Sequence, residues 1–441
     1  MINKQTLKRT IFRENDIRGK YPQEVNEEVA FLLARVFVLF LKKIYQEPLK
    51  LVIGYDNRQS SPSLAQSFIK GCLANGCQII NLGETTTPLF YFSLNKTKNT
   101  GGVMITASHN PYRENGFLFY LKGGVSFLSG TKWDRKFLEL AFQEYRNKKK
   151  FLINSSPNSQ ITNLNFQKYY LDYLKKFIKV KKPLKFVLDD GGGSAGFILK
   201  NFNKKVNRKL LKLYLVKGRK YRFSNPLEEK KLNLLKKEII RRKANGGAAF
   251  DSDADRIVFL DEKGQIIDSG KIFGFLIKNF LKRDEKIKFV TTEFLNQKIK
   301  QEVKKLGAKL IYSPTGYGYF YLKMKKARAF FGSEHTGHYY FKDFNYHDDG
   351  LLALIFVLNF LSRERKSFSE LVKEFSLNSY FFMNFKSLPA KSFLMIKILK
   401  SLTLKYQKPT FEHLKLKTKN WLMIWRISGT SNILRVYVEK L

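Results

Sequence analysis

Leu51-Val52-Ile53-Gly54-Tyr55 is a short run of strand-forming residues, and it begins the pattern that decides the fold. Strands and helices alternate along the chain, with strands predicted at 51–55, 77–82, 102–106, 185–188 and 256–260 and helices at 62–75, near 196 and near 271. This alternation is typical of parallel strands covered by helices, with ligands bound at the strand ends. The sequence therefore predicts an α/β fold.

The chain is too long for one hydrophobic core, since its 441 residues suggest roughly three domains, give or take one. The polar stretch 147–160 is predicted to be a linker. The last part differs from the rest, because two strands at 421–426 and 433–439 are joined by a loop that contains glycine. An α+β module fits this region.

The charge is strongly basic, with 81 Lys and Arg against 37 Asp and Glu and a net charge of +44. Nucleic-acid or anionic-membrane binding is one interpretation. The basic runs are spread over the whole chain, which favours a general lysine bias over a dedicated nucleic-acid surface. We therefore expect no nucleic-acid partner, and a nucleic-acid-binding protein remains the alternative.

The cellular compartment of the protein is predicted from its cysteines and its apolar stretches. Cys72 and Cys77 form neither a metal spacing nor a disulfide framework, which indicates a reducing, cytoplasmic setting. Residues 1–12 lack the apolar core of a signal peptide. The longest apolar stretches, 29–41 and 351–361, are shorter than the roughly 20 residues of a membrane span. We expect both to be buried helices, and no contact with a membrane.

Asp251-Ser252-Asp253-Ala254-Asp255-Arg256 places carboxylates at alternate positions. In an extended loop alternate side chains project to one side, so the three carboxylates converge and repel unless a hard cation such as Mg²⁺ or Ca²⁺ lies between them. A calcium loop of the EF-hand type is the main rival, but Arg256 stands where that loop needs glycine. A solvated acidic loop is the other alternative. Apolar residues on both sides favour a metal site.

Thr106-Ala107-Ser108-His109-Asn110-Pro111 follows a predicted strand. The small neighbours would leave the Ser108 hydroxyl accessible, and His109 could donate a hydrogen bond to an incoming phosphate. Adjacent residues rarely form a nucleophile–base pair, so these six residues alone favour an ordinary turn.

Two further loops carry polar groups suited to a phosphorylated sugar. Gly332-Ser333-Glu334-His335-Thr336-Gly337-His338 offers a carboxylate, hydroxyls and imidazoles that could read vicinal hydroxyls, although a plain polar loop fits equally well. Arg426-Ile427-Ser428-Gly429-Thr430-Ser431-Asn432, with Arg435 nearby, has the composition of a phosphate cradle. Asp189-Asp190-Gly191-Gly192-Gly193-Ser194 lacks the spacing of a nucleotide loop and is predicted to be a tight strand–helix turn.

Taken in order, these blocks resemble the α-D-phosphohexomutases, specifically the bacterial phosphomannomutase/phosphoglucomutase group. The segment Phe12-Arg13-Glu14-Asn15-Asp16-Ile17-Arg18-Gly19 is similar to the sugar-contacting segment of that family. The resemblance implies three related α/β domains with mixed sheets and a smaller C-terminal α+β domain around a central cleft. The domains are expected at 1–154, 155–257, 258–372 and 373–441.

The resemblance also implies a reaction that converts hexose 1-phosphates and 6-phosphates of mannose or glucose through a phosphoserine enzyme and a bound 1,6-bisphosphate. A phosphoglucosamine mutase is the near alternative. The implied roles are as follows: Ser108, His109 and Arg18 catalytic; Ser108, Asp251, Asp253 and Asp255 ligands of Mg²⁺; Arg256, Glu334, Thr336, His338, Arg426, Ser428, Gly429, Thr430 and Arg435 substrate-binding. A monomer or weak homo-oligomer is expected.

The sequence departs from the family pattern at several places. Leu118 stands where the family usually has a lysine proposed as an acid/base group. Ser252 replaces the usual middle glycine of the metal loop. These changes bear on rate and substrate preference more than on the class of reaction. A phosphatase with Asp251 as nucleophile is disfavoured, because that chemistry places its aspartate at the end of a strand, whereas Asp251 precedes one.

Overall fold

Four sheets, in the order of the sequence, organise the chain. The computed structural model describes residues 9–13, 16–127, 137, 139–141, 143–144, 160–218, 220–282, 287–386, 413–427 and 433–441. Within these ranges no helix combines the length and the apolar character that crossing a bilayer requires. The first three sheets carry helices, as the alternating sequence pattern predicts.

The first sheet has seven strands in the order β1-β5-β4-β2-β3-β7, with β6 paired to β5. Its strands are β1 (Ile17–Lys20), β2 (Lys50–Tyr55), β3 (Gln78–Glu84), β4 (Gly101–Ile105), β5 (Glu114–Leu121), β6 (Val125–Ser126) and β7 (Ile161–Asn163), and its helices are α1 (Glu27–Lys42), α2 (Ser61–Leu73) and α3 (Thr87–Lys96). Strand β2 is parallel to β3 and β4, whereas β5 is antiparallel to both β1 and β4. The sheet is therefore mixed, and the predicted strands and the buried helix α1 are confirmed.

The first sheet extends past the predicted boundary at residue 154. Strand β7 pairs in parallel with β3, and the amide of Ile79 donates to the carbonyl of Gln160. The prediction was wrong here because a polar stretch was taken as the end of the domain. The chain returns to the edge of its own sheet before the next domain begins.

The second sheet has the order β12-β11-β10-β8-β9. Its strands are β8 (Leu184–Asp189), β9 (Leu211–Leu215), β10 (Gly246–Phe250), β11 (Ile257–Leu260) and β12 (Ile266–Ile267), and its helices are α4 (Gln167–Lys175), α5 (Ala195–Lys205) and α6 (Asn233–Arg241), with a 3₁₀ turn at Glu229–Leu232. Strand β11 pairs antiparallel with β10 and β12. The predicted boundary at 257 is therefore too early, because sequence periodicity does not reveal to which sheet a strand bonds.

The third sheet has four strands in the order β14-β13-β15-β16. Its strands are β13 (Lys288–Thr291), β14 (Lys309–Tyr312), β15 (Phe331–Ser333) and β16 (Tyr339–Phe341), and its helices are α7 (Ser269–Leu281), α8 (Gln297–Lys305), α9 (Tyr317–Ala327), α10 (Gly350–Leu361) and α11 (Phe368–Lys373). All residues of α10 are buried. This confirms the prediction of a core helix rather than a membrane span.

The fourth sheet is antiparallel, in the order β17-β20-β19-β18. Its strands are β17 (Tyr380–Lys386), β18 (His413–Lys417), β19 (Trp421–Ile427) and β20 (Ile433–Lys440). The two predicted strands of this region are confirmed as β19 and β20. The sheet packs on the third domain, where Phe382 stacks on His335 at 5.3 Å between ring centroids.

The first domain contacts the second through ring pairs, such as Phe92 with Tyr170 at 5.7 Å between centroids, and through hydrogen bonds near the loop after β10. We call the hydrogen-bonded part of this contact the polar interface. The Asn57 amide donates to Ser194 Oγ at 2.8 Å, and Asn57 Nδ2 donates to the Gly192 carbonyl at 2.9 Å. The Thr87 hydroxyl donates to Asp253 Oδ2 at 2.8 Å. These bonds bring the carboxyl end of the first sheet onto the loop after β10.

The first domain contacts the third through rings, and we call this contact the aromatic interface. The Tyr91 ring stacks on His347 at 4.5 Å and on Tyr317 at 5.2 Å. Tyr317 hydrogen-bonds His347, and its hydroxyl also lies 3.2 Å from the Gly124 carbonyl. Gly124 has φ +75°, and a Cβ there would lie 2.6 Å from His347 Cε1, so only glycine fits.

Candidate active site

Ser108 lies in the loop between β4 and β5, at the carboxyl end of the first sheet. Its side chain reaches across the polar interface, and the hydroxyl donates to Asp251 Oδ2 at 3.1 Å. The backbone at Ser108 is left-handed, with φ +46°, and the amide donates to Thr106 Oγ1 at 2.8 Å. The two most prominent motifs of the sequence therefore meet in space.

The three carboxylates of the loop after β10 converge as the sequence predicts. Asp251, Asp253 and Asp255 are buried, and one oxygen of each lies within 4.8 Å of the other two. Within the described residues, Asp253 Oδ1 and Asp255 Oδ1 accept no hydrogen bond. Buried carboxylate oxygens without donors are what a hard cation would satisfy.

The electrostatics of this loop support the same interpretation. Burial raises the pKa of Asp253 to about 6, and repulsion from Asp251 adds to the shift. Burial, with repulsion from Asp253 and Asp251, raises the pKa of Asp255 well above its usual value. Arg256 lies beside the loop, with Nε 3.8 Å from Asp251 Oδ2. The guanidiniums of Arg256 and Arg18 do not offset three buried carboxylates, so the residues fit a divalent cation.

His109 and Arg18 lie on the two sides of the serine. His109 Nδ1 is 3.3 Å from Ser108 Oγ, and burial together with the positive charges of Arg256 and Arg18 lowers the pKa of His109 well below its usual value. The imidazole is therefore neutral. Arg18 Nη1 donates to the Ala107 carbonyl at 2.7 Å and to Asn110 Oδ1 at 3.1 Å. Arg18 thus braces the serine loop.

The predicted sugar loop joins the metal loop directly. The Ile257 amide donates to the Gly337 carbonyl at 3.0 Å, and Arg256 and His338 form an antiparallel bridge. His338 Nδ1 lies 2.5 Å from Asp348 Oδ2, and burial, with nearby Arg256, lowers the pKa of His338 to about 3.

The other two residues predicted in this loop differ in burial. Glu334 is buried and accepts a hydrogen bond from the Tyr340 hydroxyl at 2.6 Å. Thr336 is half-buried. Glu334, Thr336 and His338 therefore lie on one loop, beside the carboxylates.

The predicted phosphate loop is described only in part. Ser428, Gly429 and Thr430 lie outside the described residues, as does the side chain of Arg426. The backbones of Arg426 and Arg435 are direct cross-strand partners in β19 and β20. The two arginines therefore sit at matching positions of the strands that flank the loop.

Two features of the site were not anticipated from the sequence. Arg58 is buried and ties the serine loop together through its guanidinium, and the only signal was its place just after β2, at the carboxyl end of the sheet. Asp348 holds His338 and was not among the residues predicted for the site. Leu118, at the position of the missing lysine, is half-buried and packs against the main hydrophobic core.

Comparison with known proteins agrees with this geometry. Family models described as phosphoglucomutase/phosphomannomutase, alpha/beta/alpha domains I, II and III, match residues 9–134, 168–264 and 268–377. A phosphomannomutase from Escherichia coli is 30% identical over 376 residues, which cover 83% of this chain and 80% of that protein. The chain belongs to the phosphoglucomutase/phosphomannomutase family.

Other members of the phosphoglucomutase/phosphomannomutase family extend the match to almost the full chain. A phosphomannomutase from Vibrio cholerae is 28% identical over 447 residues, covering 98% of this chain and 94% of that protein. A family protein from Burkholderia thailandensis, 21% identical, superposes with a TM-score of 0.85 over 99% of this chain and 94% of its own. As a member of this family the chain is a phosphohexomutase, an enzyme that acts on hexose phosphates. The four-domain fold predicted from the sequence is confirmed.

Proposed function

We propose that this phosphohexomutase interconverts the 1-phosphate and the 6-phosphate of mannose or glucose, with Ser108 as the carrier of the phosphoryl group. The hydrogen bond from Ser108 Oγ to Asp251 Oδ2 carries the proposal. It joins residues 143 positions apart and places a hydroxyl against a cluster of carboxylates. A serine that only closes a turn has no need of such a partner.

The choice of hexose rests on the relatives. The relatives from Escherichia coli and Vibrio cholerae, which match over most of the chain, are named phosphomannomutases. They do not favour the phosphoglucosamine alternative. The Asp348-Asp349-Gly350 segment also resembles the mannose and glucose group more than the glucosamine group.

We propose Mg²⁺ as the cation, held by Asp251, Asp253, Asp255 and a phosphate on Ser108. When bound, the cation would neutralise negative charge on the oxygens of the phosphoryl group being transferred. Such neutralisation is the main requirement in phosphoryl transfer. The donor set consists only of oxygens, which Mg²⁺ prefers.

The residues around Ser108 suit a transfer in two halves. In the first half the bond between Ser108 Oγ and phosphorus breaks, and phosphorus bonds to the free hydroxyl of the hexose phosphate. The proton of that hydroxyl passes through the neutral imidazole of His109 to Ser108 Oγ. The resulting 1,6-bisphosphate turns over, and its other phosphate returns to Ser108 by the reverse steps. Arg18 keeps the loop in place throughout.

Substrate binding is assigned to the two remaining loops. Glu334, Thr336 and the neutral His338 would read the sugar hydroxyls. The phosphate that is not being transferred would be held by the loop near the end of the chain, namely Arg426, Ser428, Gly429, Thr430 and Arg435. Arg256, beside the carboxylate loop, would also bind the substrate. We expect the enzyme to work in the cytoplasm as a monomer or weak homo-oligomer, without nucleic acid.

The test combines mass and turnover. The intact mass of the purified protein, taken before and after incubation with glucose 1,6-bisphosphate, should show one phosphate on Ser108. A coupled assay with Mg²⁺ should show turnover of mannose or glucose 1-phosphate and little of glucosamine 1-phosphate. Ser108→Ala should lose activity on the order of 10⁴-fold or more, whereas Ser93→Ala, which removes a buried hydroxyl that donates to the Leu89 carbonyl, should not.

Three results would contradict the proposal. Turnover with no phosphate on Ser108 would remove the serine from the mechanism. Phosphatase activity that survives in Ser108→Ala would support Asp251 as a nucleophile. Absence of turnover, together with nucleic-acid binding that weakens steeply with salt, would support the nucleic-acid-binding alternative.

A further inference from the structure

Ser252 lies between Asp251 and Asp253 in the carboxylate loop, and its hydroxyl forms a hydrogen bond across the polar interface. Ser252 is completely buried, and its Oγ donates to the carbonyl of Ser108 at 2.5 Å. The family that this loop resembles usually has glycine at this position, which cannot make the bond. The contact therefore depends on the hydroxyl of this one side chain.

Arg58 reaches the same carbonyl from the first domain. Its Nη2 donates to the Ser108 carbonyl and lies 3.2 Å from Ser252 Oγ. Nη2 also donates to the Asn110 carbonyl. Nη1 donates to the carbonyls of Pro111 and Glu114, and Nε donates to the carboxylate of Asp56. The Ser108 carbonyl thus lies between one donor of its own domain and one donor of the next.

The other side of Ser252 rests on the glycine-rich turn after β8. The Ser252 carbonyl accepts from the Ser194 amide at 2.8 Å. A Cβ on Gly193 would lie 2.8 Å from both Cα and O of Ser252, so glycine is required for this approach. The glycine-rich turn, which the sequence predicted as a tight strand–helix connection, therefore supports the metal loop.

The serine loop needs an external support of this kind. A left-handed backbone at a residue other than glycine costs about 1–2 kcal/mol and persists only where the surroundings fix it. The backbone conformation of Ser108 sets the direction of its Cα–Cβ bond and therefore the position of Oγ. Small errors in the position of a reacting oxygen cost large factors in rate.

We propose that Ser252 is a positioning residue for phosphoryl transfer, whose hydroxyl fixes the carbonyl of Ser108 and so aligns the serine loop with the carboxylate loop. The Ser252 hydroxyl contacts the Ser108 carbonyl and the guanidinium of Arg58 rather than the Ser108 hydroxyl. Its role is exerted through Ser108, and the inference therefore rests on the proposed function of that serine.

Two substitutions test the role in the full-length enzyme. Ser252→Ala removes the hydroxyl, and Ser252→Gly restores the residue usual in the family. Because the guanidinium of Arg58 still holds the loop, both variants should fold. We expect kcat for glucose 1-phosphate to fall about tenfold while KM changes less than twofold, since the substrate contacts are untouched. Transfer of phosphate from Ser108 to substrate, followed by intact mass in a single turnover, should slow by the same factor.

The control is Ser93→Ala, which removes a hydroxyl of equal burial within helix α3. It should lower the melting temperature without changing kcat, so a loss of stability is separated from a loss of alignment. A double-mutant cycle with Arg58→Lys adds a second check. If both side chains act on one carbonyl, the effects of the two substitutions on kcat will not add.

Two outcomes would overturn the inference, and they are distinct. Wild-type values of kcat and of single-turnover transfer in Ser252→Ala, with Ser108 phosphorylated and active, would reject the role of Ser252 and leave the proposed function intact. Absence of phosphate on Ser108 in the active wild-type enzyme would reject both. Additive effects in the cycle would also contradict a shared target carbonyl.

Discussion

Two contacts that the first domain makes with its neighbours differ in chemistry. Towards the second domain it presents the polar interface, where hydrogen bonds involve Asn57, Arg58 and Thr87. Towards the third it presents the aromatic interface, where Tyr91, Tyr317 and His347 stack. The polar interface lies where charge would move in the reaction, and its bonds fix individual atoms. The aromatic interface joins the first and third domains by ring stacking, which requires no charged groups.

The largest effect is expected from breaking the polar interface at its centre. Arg58→Met would leave the buried carboxylate of Asp56 without its ion-pair partner and would remove the guanidinium hydrogen bonds to the carbonyls of the serine loop, although Ser252 Oγ still donates to the Ser108 carbonyl. We expect the free energy of unfolding to fall by about 3–5 kcal/mol, the usual cost of removing one member of a buried pair. Chemical denaturation measures it. A loss below 1 kcal/mol would mean that water or other donors replace the guanidinium.

The second effect concerns Asp349, which lies two residues after His347 in the sequence. Asp349 accepts from the amides of Leu351 and Leu352 and from the Tyr170 hydroxyl, yet burial raises its pKa to about 7. The folded protein then holds a proton that the unfolded chain releases near pH 4. Stability contributed by this group is therefore lost as the pH rises from about 4 to 7, by up to about 1.4 kcal/mol per pH unit.

Melting temperatures of the wild type and Asp349→Asn across this range check the prediction. The amide cannot titrate, so the variant should lose less stability than the wild type as the pH rises. Parallel curves for the two proteins would show that Asp349 is already ionised in the folded state.

A smaller effect is expected from Tyr317→Phe in the aromatic interface. The ring remains, but the bonds of the hydroxyl to His347 and Gly124 are lost, and stability should fall by about 1–2 kcal/mol. Because the stack still holds the two domains, kcat should change less than in Ser252→Ala. Tyr321→Phe is the matched control, because it also loses two bonds, one to the Gly123 carbonyl and one from Lys325 Nζ. If kcat fell more in Tyr317→Phe than in Ser252→Ala, the aromatic interface rather than the polar interface would control the reaction rate.

The smallest effect is expected from Ala254→Gly in the metal loop. Ala254 is buried with φ +68°, a left-handed conformation that glycine adopts without strain. We expect a gain of about 1 kcal/mol or less, since glycine also adds entropy to the unfolded chain. Thermal unfolding without metal measures it. Destabilisation would show that the alanine methyl contributes packing that exceeds the strain.

The sequence predicted local elements well and long-range partners poorly. Helices α1 and α10 and strands β2, β19 and β20 follow from periodicity and composition, because these properties are local. The meeting of Ser108 with Asp251 was expected only from the family resemblance, since the residues around Ser108 by themselves favoured a turn. Arg58 was missed because its partners are backbone carbonyls, which leave no trace in residue types.

Residues 160–163 also determine which fragments of this protein can be studied alone. A fragment that ends at 154 lacks strand β7, and it leaves the edge of β3 with free amides and carbonyls between Ile79 and Asn81. Open edges of this kind pair with other chains and promote aggregation. A fragment that continues beyond Leu164 keeps the edge covered, because the Leu164 amide still donates to the Asn81 carbonyl. The roughly ten residues between the predicted boundary at 154 and Leu164 therefore decide whether the first domain can be handled as a separate protein.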